Sequence, residues 1–333
     1  SEGTPWGGMA ASPRDAELGE ARTGSLAERF TATERVIYRG LASTIFLGVE
    51  RCTLLQVGIK VVLKARLDTE QERAQARAEA ELHASVPPHA NVARLLAAAE
   101  TDAAILLATP FTPCGDLWEL TRYGRTFCEA QVRNCAGQII AALSHIHSTC
   151  NLVHGDIKPH NFLLFMVDGR HVLQLCDFGL AERPGPSGAL GFRGLRGTSG
   201  WFAPEMLDHR DYGQAVDIFG SGLVIFRMLA GYPPFDPPSH FSGEVEFDDR
   251  YWCHVSPACR PFVARILALD PVRRGTAEEA REHPWLAGPP PASPSVEQLR
   301  HLGAFGPLPE DGVLFWSADE LPAPERGKCF ASF

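Results

Sequence analysis

The sequence predicts an α+β fold in two parts, a small β-rich N-terminal region followed by a larger helical one. β-Branched and aliphatic residues dominate Val36 to Ala65, with breaks near Gly40 and Gln56-Val57-Gly58, the pattern of three antiparallel strands. Asp68 to Val86 is dense in Glu, Ala, Arg and Gln and stops at Pro87-Pro88, the pattern of a helix. Further on, Val132, Cys135, Ile139, Ala142, Leu143 and Ile146 form one helical stripe, and Leu223 to Leu229 is an almost wholly apolar run that belongs in a core.

The other elements follow from local signals. Ser1 to Arg29 reads as a mobile lead-in with a short helix near Leu26–Phe30. Ala103 to Phe111 is a buried strand by its continuous apolar run, and Leu117 to Tyr123 is a helix with Asp116 at its N-cap. Leu163 to Phe165 and Val172 to Leu175 flank Val167-Asp168-Gly169-Arg170, a hairpin by its Asp-Gly signal. Phe262 to Leu269 and Ala277 to His283 close the helical part. Gly288 to Pro294 is a proline-rich break. The last stretch, with Phe305, Leu314, Phe315 and Trp316, is too apolar for a purely solvated tail and is expected to pack back or to bind a partner.

Composition narrows the function classes. With 333 residues and 45% hydrophobic content the chain can bury a sizeable core. A net charge of -9, from 31 Lys+Arg against 40 Asp+Glu, argues against a general nucleic-acid binder, because phosphate backbones reward a basic surface. No run approaches the ~18 apolar residues of a membrane span. The 9 cysteines are scattered without C-x-x-C spacing, so neither zinc nor a disulfide framework is expected, and cytoplasmic free thiols are the default. The sequence opens on Ser1; removal of a leader would instead imply a secreted or vacuolar-lumen setting.

The chemistry concentrates in His154-Gly155-Asp156-Ile157-Lys158-Pro159-His160-Asn161 and, downstream, Asp177-Phe178-Gly179. An Asp, a Lys two residues on, an Asn five residues on and a second Asp supply a base, a cation and two metal ligands for phosphoryl transfer. An isolated Asp-Phe-Gly is ordinarily a turn after a strand. Here it follows the first motif at a workable separation and precedes Gly197-Thr198-Ser199-Gly200-Trp201-Phe202-Ala203-Pro204-Glu205 and Asp217-Ile218-Phe219-Gly220. In this order the motifs resemble those of the eukaryotic-type protein kinases, from about Phe30 to Leu286.

The resemblance implies a bilobal kinase-like fold: a lead-in over 1–29, a kinase domain over 30–286 and a C-terminal extension over 287–333. Within the domain it implies an N-lobe over about 30–108, a hinge over 109–115 and a C-lobe over 116–286. It implies ATP and Mg2+ as cofactors, with Mn2+ as the alternative metal, and Ser/Thr hydroxyls of proteins as acceptors. Asp156 is then the base or orienting carboxylate, Lys158 the charge stabiliser, Thr198 the hydroxyl that bridges them, and Asn161 and Asp177 the metal ligands. Glu205 is expected to pair with Arg274, and Asp217 to hold the backbone of the catalytic loop.

Val61-Val62-Leu63-Lys64 resembles the family's V-A-I-K, so Lys64 is expected on the α- and β-phosphates with Lys60 as its competitor. Glu79 is the expected helix partner, ahead of Glu81. Thr109-Pro110-Phe111-Thr112 resembles the hinge that binds adenine through its backbone, with Thr109 as gatekeeper; Asp116 is a ribose ligand, an N-cap or both.

Three departures stand out. The phosphate loop, Gly40-Leu41-Ala42-Ser43-Thr44-Ile45-Phe46-Leu47, keeps one glycine of three, which puts backbone contact with the phosphates in question or shifts that duty to Lys and metal. Gly155 replaces the Arg that usually pairs with an activation-segment phosphate, so switching through Ser187 is expected to be weak, with Arg193 and Arg196 as substitutes. His160 stands where Arg-preferring kinases carry Glu. Two classes remain, an active Ser/Thr kinase and a pseudokinase scaffold; the degenerate loop together with His-Gly-Asp is also similar to the with-no-Gly-loop kinases of coccidian parasites.

Overall fold

Alternation along the strand Gln56–Leu63 organises the N-terminal unit. Val57, Ile59 and Val61 point to one face, where they pack with Phe30, Ala104, Leu106 and Ala108; Val62 points to the other, with Ile105 and Leu107, against Leu67, Ala76 and Ala80. Burial on both faces is what makes this stretch a near-continuous apolar run. Each fully buried Ile or Val of this kind contributes roughly 1.5–3 kcal/mol.

The protein is seen in a computed structural model that describes residues 26–122, 126–167, 170–185, 195–235, 241 and 243–288. The predicted lead-in before residue 26, the Asp168-Gly169 turn, Ser187, Arg193 and the C-terminal stretch beyond residue 288 lie outside the described residues. Two units emerge among the described residues, one of residues 26–88 and 93–113, the other of residues 89–92 and the described part of 114–288. The first is sheet-rich and the second largely helical, a bilobal α+β architecture.

In the first unit a four-residue helix, α1 (Leu26–Arg29), leads into β1 (Phe30–Arg39), β2 (Ser43–Glu50), β3 (Gln56–Leu63), β4 (Ala97–Glu100) and β5 (Ala104–Pro110). They form one antiparallel sheet in the order β1-β2-β3-β5-β4. The second break differs from expectation: it falls at Arg51–Leu55, where Leu54 takes φ 60° and bonds back to Glu50, while Gln56 to Gly58 lie inside β3. Gly58 is paired on both sides, with Leu47 and Thr109, so it is a strand residue and not a turn. Helix α2 (Glu70–Ser85) starts at a capping box, Thr69 accepting from the Glu72 N–H and Glu72 from the Thr69 N–H, and presents Ala76, Glu79, Ala80 and His83 inward.

The second unit contains α3 (Leu117–Thr121), α4 (Glu129–Ser144), the antiparallel hairpin β6 (Phe162–Val167) and β7 (Arg170–Leu175), α5 (Pro204–Leu207), α6 (Ala215–Ala230), α7 (Asp249–Trp252), α8 (Cys259–Ile266), α9 (Pro271–Arg274), α10 (Ala277–Glu282) and α11 (Pro284–Ala287). The stripe on α4 is fully buried at Val132, Ile139 and Leu143, against α6, whose Phe219, Val224, Ile225 and Phe226 are equally enclosed. Helix α6 ends at Gly231 with φ 77°, the left-handed stop that glycine provides without strain. At Gly220 a Cβ would lie 2.9 Å from Ile157 Cβ and 3.0 Å from the Ile157 carbonyl oxygen, so a bare backbone is what lets the central helix touch the loop that carries Asp156.

A buried ion pair ties the far side together. Arg274, 0% exposed, gives Nη1 and Nη2 to Glu205 Oε1 and Oε2 at 2.6 and 2.8 Å, and its remaining donors go to the carbonyls of Ala215, Ala268 and Leu269. The fork is thus satisfied all round, the condition under which a buried charge pair is tolerated.

Candidate active site

Asp217, on the first turn of α6 and 1% exposed, fixes the loop from His154 to Asn161 through its backbone. Its Oδ2 accepts from the His154 N–H at 2.8 Å and lies 2.9 Å from His147 Nε2, and its Oδ1 accepts from the Gly155 N–H at 2.8 Å. Gly155 sits at φ 78°, and a Cβ there would stand 3.2 Å from the Leu180 carbonyl oxygen. The residue in the position of the family's Arg is therefore one suited to a left-handed backbone in close contact with the segment after Asp177.

From this anchor the loop presents three groups in a closed triangle. Lys158 Nζ donates to Asp156 Oδ2 at 2.6 Å and to Thr198 Oγ1 at 2.5 Å, and Thr198 Oγ1 donates to Asp156 Oδ1 at 2.9 Å. Sequence separation between Thr198 and the loop is forty-odd residues, so the triangle is a product of the fold. Asn161, 4% exposed, spends its Nδ2 on the Asp156 carbonyl at 2.7 Å, which orients its Oδ1 as the group left to offer a cation.

The second acid is set one step away. The Cys176 N–H donates to the Asn161 carbonyl at 2.9 Å, and the Cys176 carbonyl lies 3.1 Å from His154 Nε2. Asp177 follows at φ 63°, the left-handed region, where a non-glycine residue is held only when its surroundings impose it. Phe178, fully buried, stands edge-on to His154 at 5.4 Å and locks the motif to the loop. An Asn oxygen and an Asp carboxylate are hard donors that fit Mg2+ arriving with phosphate oxygens and waters; no group of three His, Cys, Asp or Glu forms a metal cage among the described residues.

Asp116 caps α3, its Oδ1 accepting from the Glu119 N–H at 3.0 Å, and burial pushes its carboxyl up to about 7 against the pull of that hydrogen bond. Its capping role is therefore structural fact. Beside the loop, His160 stacks on Trp118 with centroids 4.6 Å apart.

In the sheet-rich unit the expected pairing of Lys64 with Glu79 requires a correction. Glu79, 5% exposed on α2, receives Lys60 Nζ at 2.7 Å; Lys64 instead contacts Glu100 at 2.5 Å and the Thr101 carbonyl at 2.6 Å. Strand β3 ends at Leu63, and Lys64 opens a 3-10 turn that swings its side chain toward β4, while Lys60 lies mid-strand on the face shared with Val62 and α2. The signal was present in Val57-Gly58-Ile59-Lys60, an apolar stretch with a small second residue, closer to V-A-I-K than the triplet before Lys64.

Gly40 closes the β1–β2 turn, its N–H donating to the Ser43 carbonyl at 2.8 Å, with the Leu41 side chain 88% exposed at the tip. Thr109 pairs with Gly58 at the end of β5. The Phe111 N–H donates to the Gln56 carbonyl at 3.2 Å, so this donor of the predicted adenine segment is committed to β3; Thr112, next along, is buried.

A family model for the protein kinase domain matches residues 31–286. The chain belongs to the protein kinase family. It is similar to a calcium/calmodulin-dependent protein kinase type 1 of Caenorhabditis briggsae, 29% identical over 276 residues that cover 80% of this chain and 75% of that protein. It is likewise 33% identical to calcium-dependent protein kinase 9 of Oryza sativa subsp. japonica, over 76% of this chain and 44% of the relative. The calcium/calmodulin-dependent protein kinase type II subunit delta of Oryctolagus cuniculus is 30% identical over 78% of this chain and 50% of its own length. This kinase thus spans three quarters of the first relative and half or less of the other two. Its class is that of the ATP-dependent protein serine/threonine kinases, eukaryotic in type, and no helix among the described residues is long and apolar enough to cross a membrane.

Proposed function

We propose that this chain is a catalytically competent kinase that moves the ATP γ-phosphoryl group to Ser and Thr hydroxyls of proteins, despite its degenerate glycine loop. The observation that carries the reading is the Asp156–Lys158–Thr198 triangle, in which every edge is a hydrogen bond. A scaffold under no catalytic demand has no need to hold two charged side chains and a hydroxyl, all partly buried, in this arrangement.

Asp156, oriented by Thr198 and Lys158, accepts the hydrogen bond of the incoming hydroxyl and takes its proton as the oxygen attacks the γ-phosphorus and the bond from that phosphorus to the β,γ-bridging oxygen breaks, releasing ADP. Lys158 neutralises charge on the moving phosphoryl group. Lys60, held by Glu79, engages the α- and β-phosphates. Asn161 and Asp177 would hold Mg2+, or Mn2+ in its place, which would screen the phosphate oxygens. With one glycine in the turn, phosphate affinity rests on Lys60 and the metal ligands more than on backbone N–H groups.

The pseudokinase reading rests on the missing glycines alone. Membership of the with-no-Gly-loop group rests on that loop and on His154-Gly155-Asp156; the β1–β2–β3 ladder speaks for the broader kinase reading. A cytoplasmic setting goes with the enzyme and rests on the scattered free thiols. Thermal shift with ATP in the presence and absence of Mg2+ tests nucleotide binding: a competent kinase gains stability with the metal present, and no shift at millimolar nucleotide favours the scaffold.

A further inference from the structure

Arg227, near the end of α6, sits half-buried with its guanidinium 5.1 Å from the Trp118 ring centroid; Trp118 in turn stacks on His160 at 4.6 Å and 19°. The three side chains form a continuous layer, Arg227 on Trp118 on His160, and His160 is part of the catalytic loop, between Lys158 and Asn161. No carboxylate among the described residues pairs with Arg227. The acids that lie close in sequence to Trp118 and His160 are engaged elsewhere: Glu119 with Arg122 at 3.0 Å, Asp116 with the Glu119 N–H at 3.0 Å, and Asp156 with Lys158 at 2.6 Å. Arg227 Nε and His160 Nδ1 are both buried atoms without a hydrogen-bond partner. Burial lowers the Arg227 guanidinium below its ordinary pKa, with no neighbouring anion to offset the desolvation.

A guanidinium taken partly out of water and left without an anion is an unfavourable arrangement that a bound carboxylate or phosphate relieves. The stack on Trp118 keeps the planar fork rigid, so little side-chain freedom remains to be lost when an anion is gripped through two N–H groups. We propose that Arg227, presented by Trp118 and His160, is a specificity subsite for an anionic side chain of the protein substrate, a carboxylate or a phosphate, close in sequence to the accepting Ser or Thr. The inference rests on the kinase reading above and gives it a substrate class: acidic or previously phosphorylated segments, rejected in favour of neither neutral nor basic ones.

The test is a peptide library with fixed Ser or Thr and each neighbouring position varied, including phosphoserine, assayed with the full chain and Mg2+-ATP. Enrichment of Asp or Glu identifies a carboxylate ligand; enrichment confined to phosphoserine identifies a primed phosphate. The ratio of kcat/KM for the best anionic peptide to that for its neutral counterpart should fall about tenfold in Arg227→Gln, recover in part in Arg227→Lys, and turn toward Arg-containing peptides in Arg227→Glu. A library in which acidic and phosphorylated peptides are phosphorylated no better than neutral ones overturns the subsite while leaving the kinase intact. So does an unchanged ratio in folded Arg227→Gln. Should these variants fail to fold, the wild-type library decides alone. If no peptide and no autophosphorylation is detected, the kinase reading falls first, and fluorescence anisotropy of labelled acidic, phosphorylated and neutral peptides then decides the subsite: tighter binding of the anionic probes supports it, and equal binding overturns it.

Discussion

Lys60 Nζ lies 2.7 Å from Glu79 Oε1, joining the central strand of the sheet to helix α2. Lys60→Met is therefore expected to lower kcat/KM by at least ~100-fold, the scale on which removal of a charged transition-state contact is felt. Lys64→Met, which removes only contacts to Glu100 and the Thr101 carbonyl, should leave kcat/KM within about threefold and cost on the order of 1 kcal/mol of stability. The reverse ranking in steady-state kinetics would restore Lys64 to the phosphates.

Gly220 has no room for a methyl group, because Ile157 backbone and side chain both come within 3.0 Å of where it would stand. Gly220→Ala should push Ile157, and with it Asp156, away from the triangle with Lys158 and Thr198. We expect a loss of roughly 1–3 kcal/mol in stability together with a drop in kcat. A variant with wild-type kcat would show that the loop is positioned by Asp217 alone.

Arg274→Met leaves the Glu205 carboxylate, 2% exposed, without the guanidinium that holds both its oxygens. Breaking a buried pair by removing one partner costs about 3–5 kcal/mol. For a unit of this size the melting temperature should drop by roughly 10 °C. A decrease of only one or two degrees in scanning calorimetry would mean that water reaches Glu205 readily.

Asp116 gives a pH signature. Burial raises its carboxyl from 3.8 to about 7 in the folded protein, so between these values the folded state keeps a proton that the unfolded chain has released. Stability from this group is present at low pH and is lost as pH rises through about 7. Asp116→Asn keeps an oxygen for the Glu119 N–H and removes the titration. Melting curves from roughly pH 5 to 7.5 should show the wild type losing ground to Asp116→Asn as pH rises; parallel profiles would contradict the raised value.

Much of this molecule was legible because its candidate catalytic groups lie in short contiguous motifs. His154 to Asn161 and Asp177 to Gly179 carry their spacing in the chain itself, and the pairing of Glu205 with Arg274 was implied by the resemblance of Ala203-Pro204-Glu205 to the family's motif. Lys64 was preferred over Lys60 as the partner of Glu79 because period-2 alternation puts residues 60, 62 and 64 on one face of a strand; what separates them is where β3 stops, and the end of a strand is decided by its partners, here Ala104 opposite Leu63. Gly58 misled for a related reason: glycine signals a turn only where no neighbouring strand claims its backbone. Arg227 gave no sequence signal, since a single Arg in an apolar helix acquires meaning only from Trp118 and His160, which are remote in the chain.

The central claim is that Asp156, locked by Lys158 and Thr198, serves phosphoryl transfer. Its most direct test is incorporation of labelled γ-phosphate from Mg2+-ATP into a Ser/Thr protein substrate by the wild type and by Asp156→Asn, with thermal denaturation confirming that both are folded. The account predicts incorporation on Ser or Thr by the wild type and a loss of at least ~100-fold in the variant. Absence of transfer by the folded wild type, or equal transfer by Asp156→Asn, would contradict it.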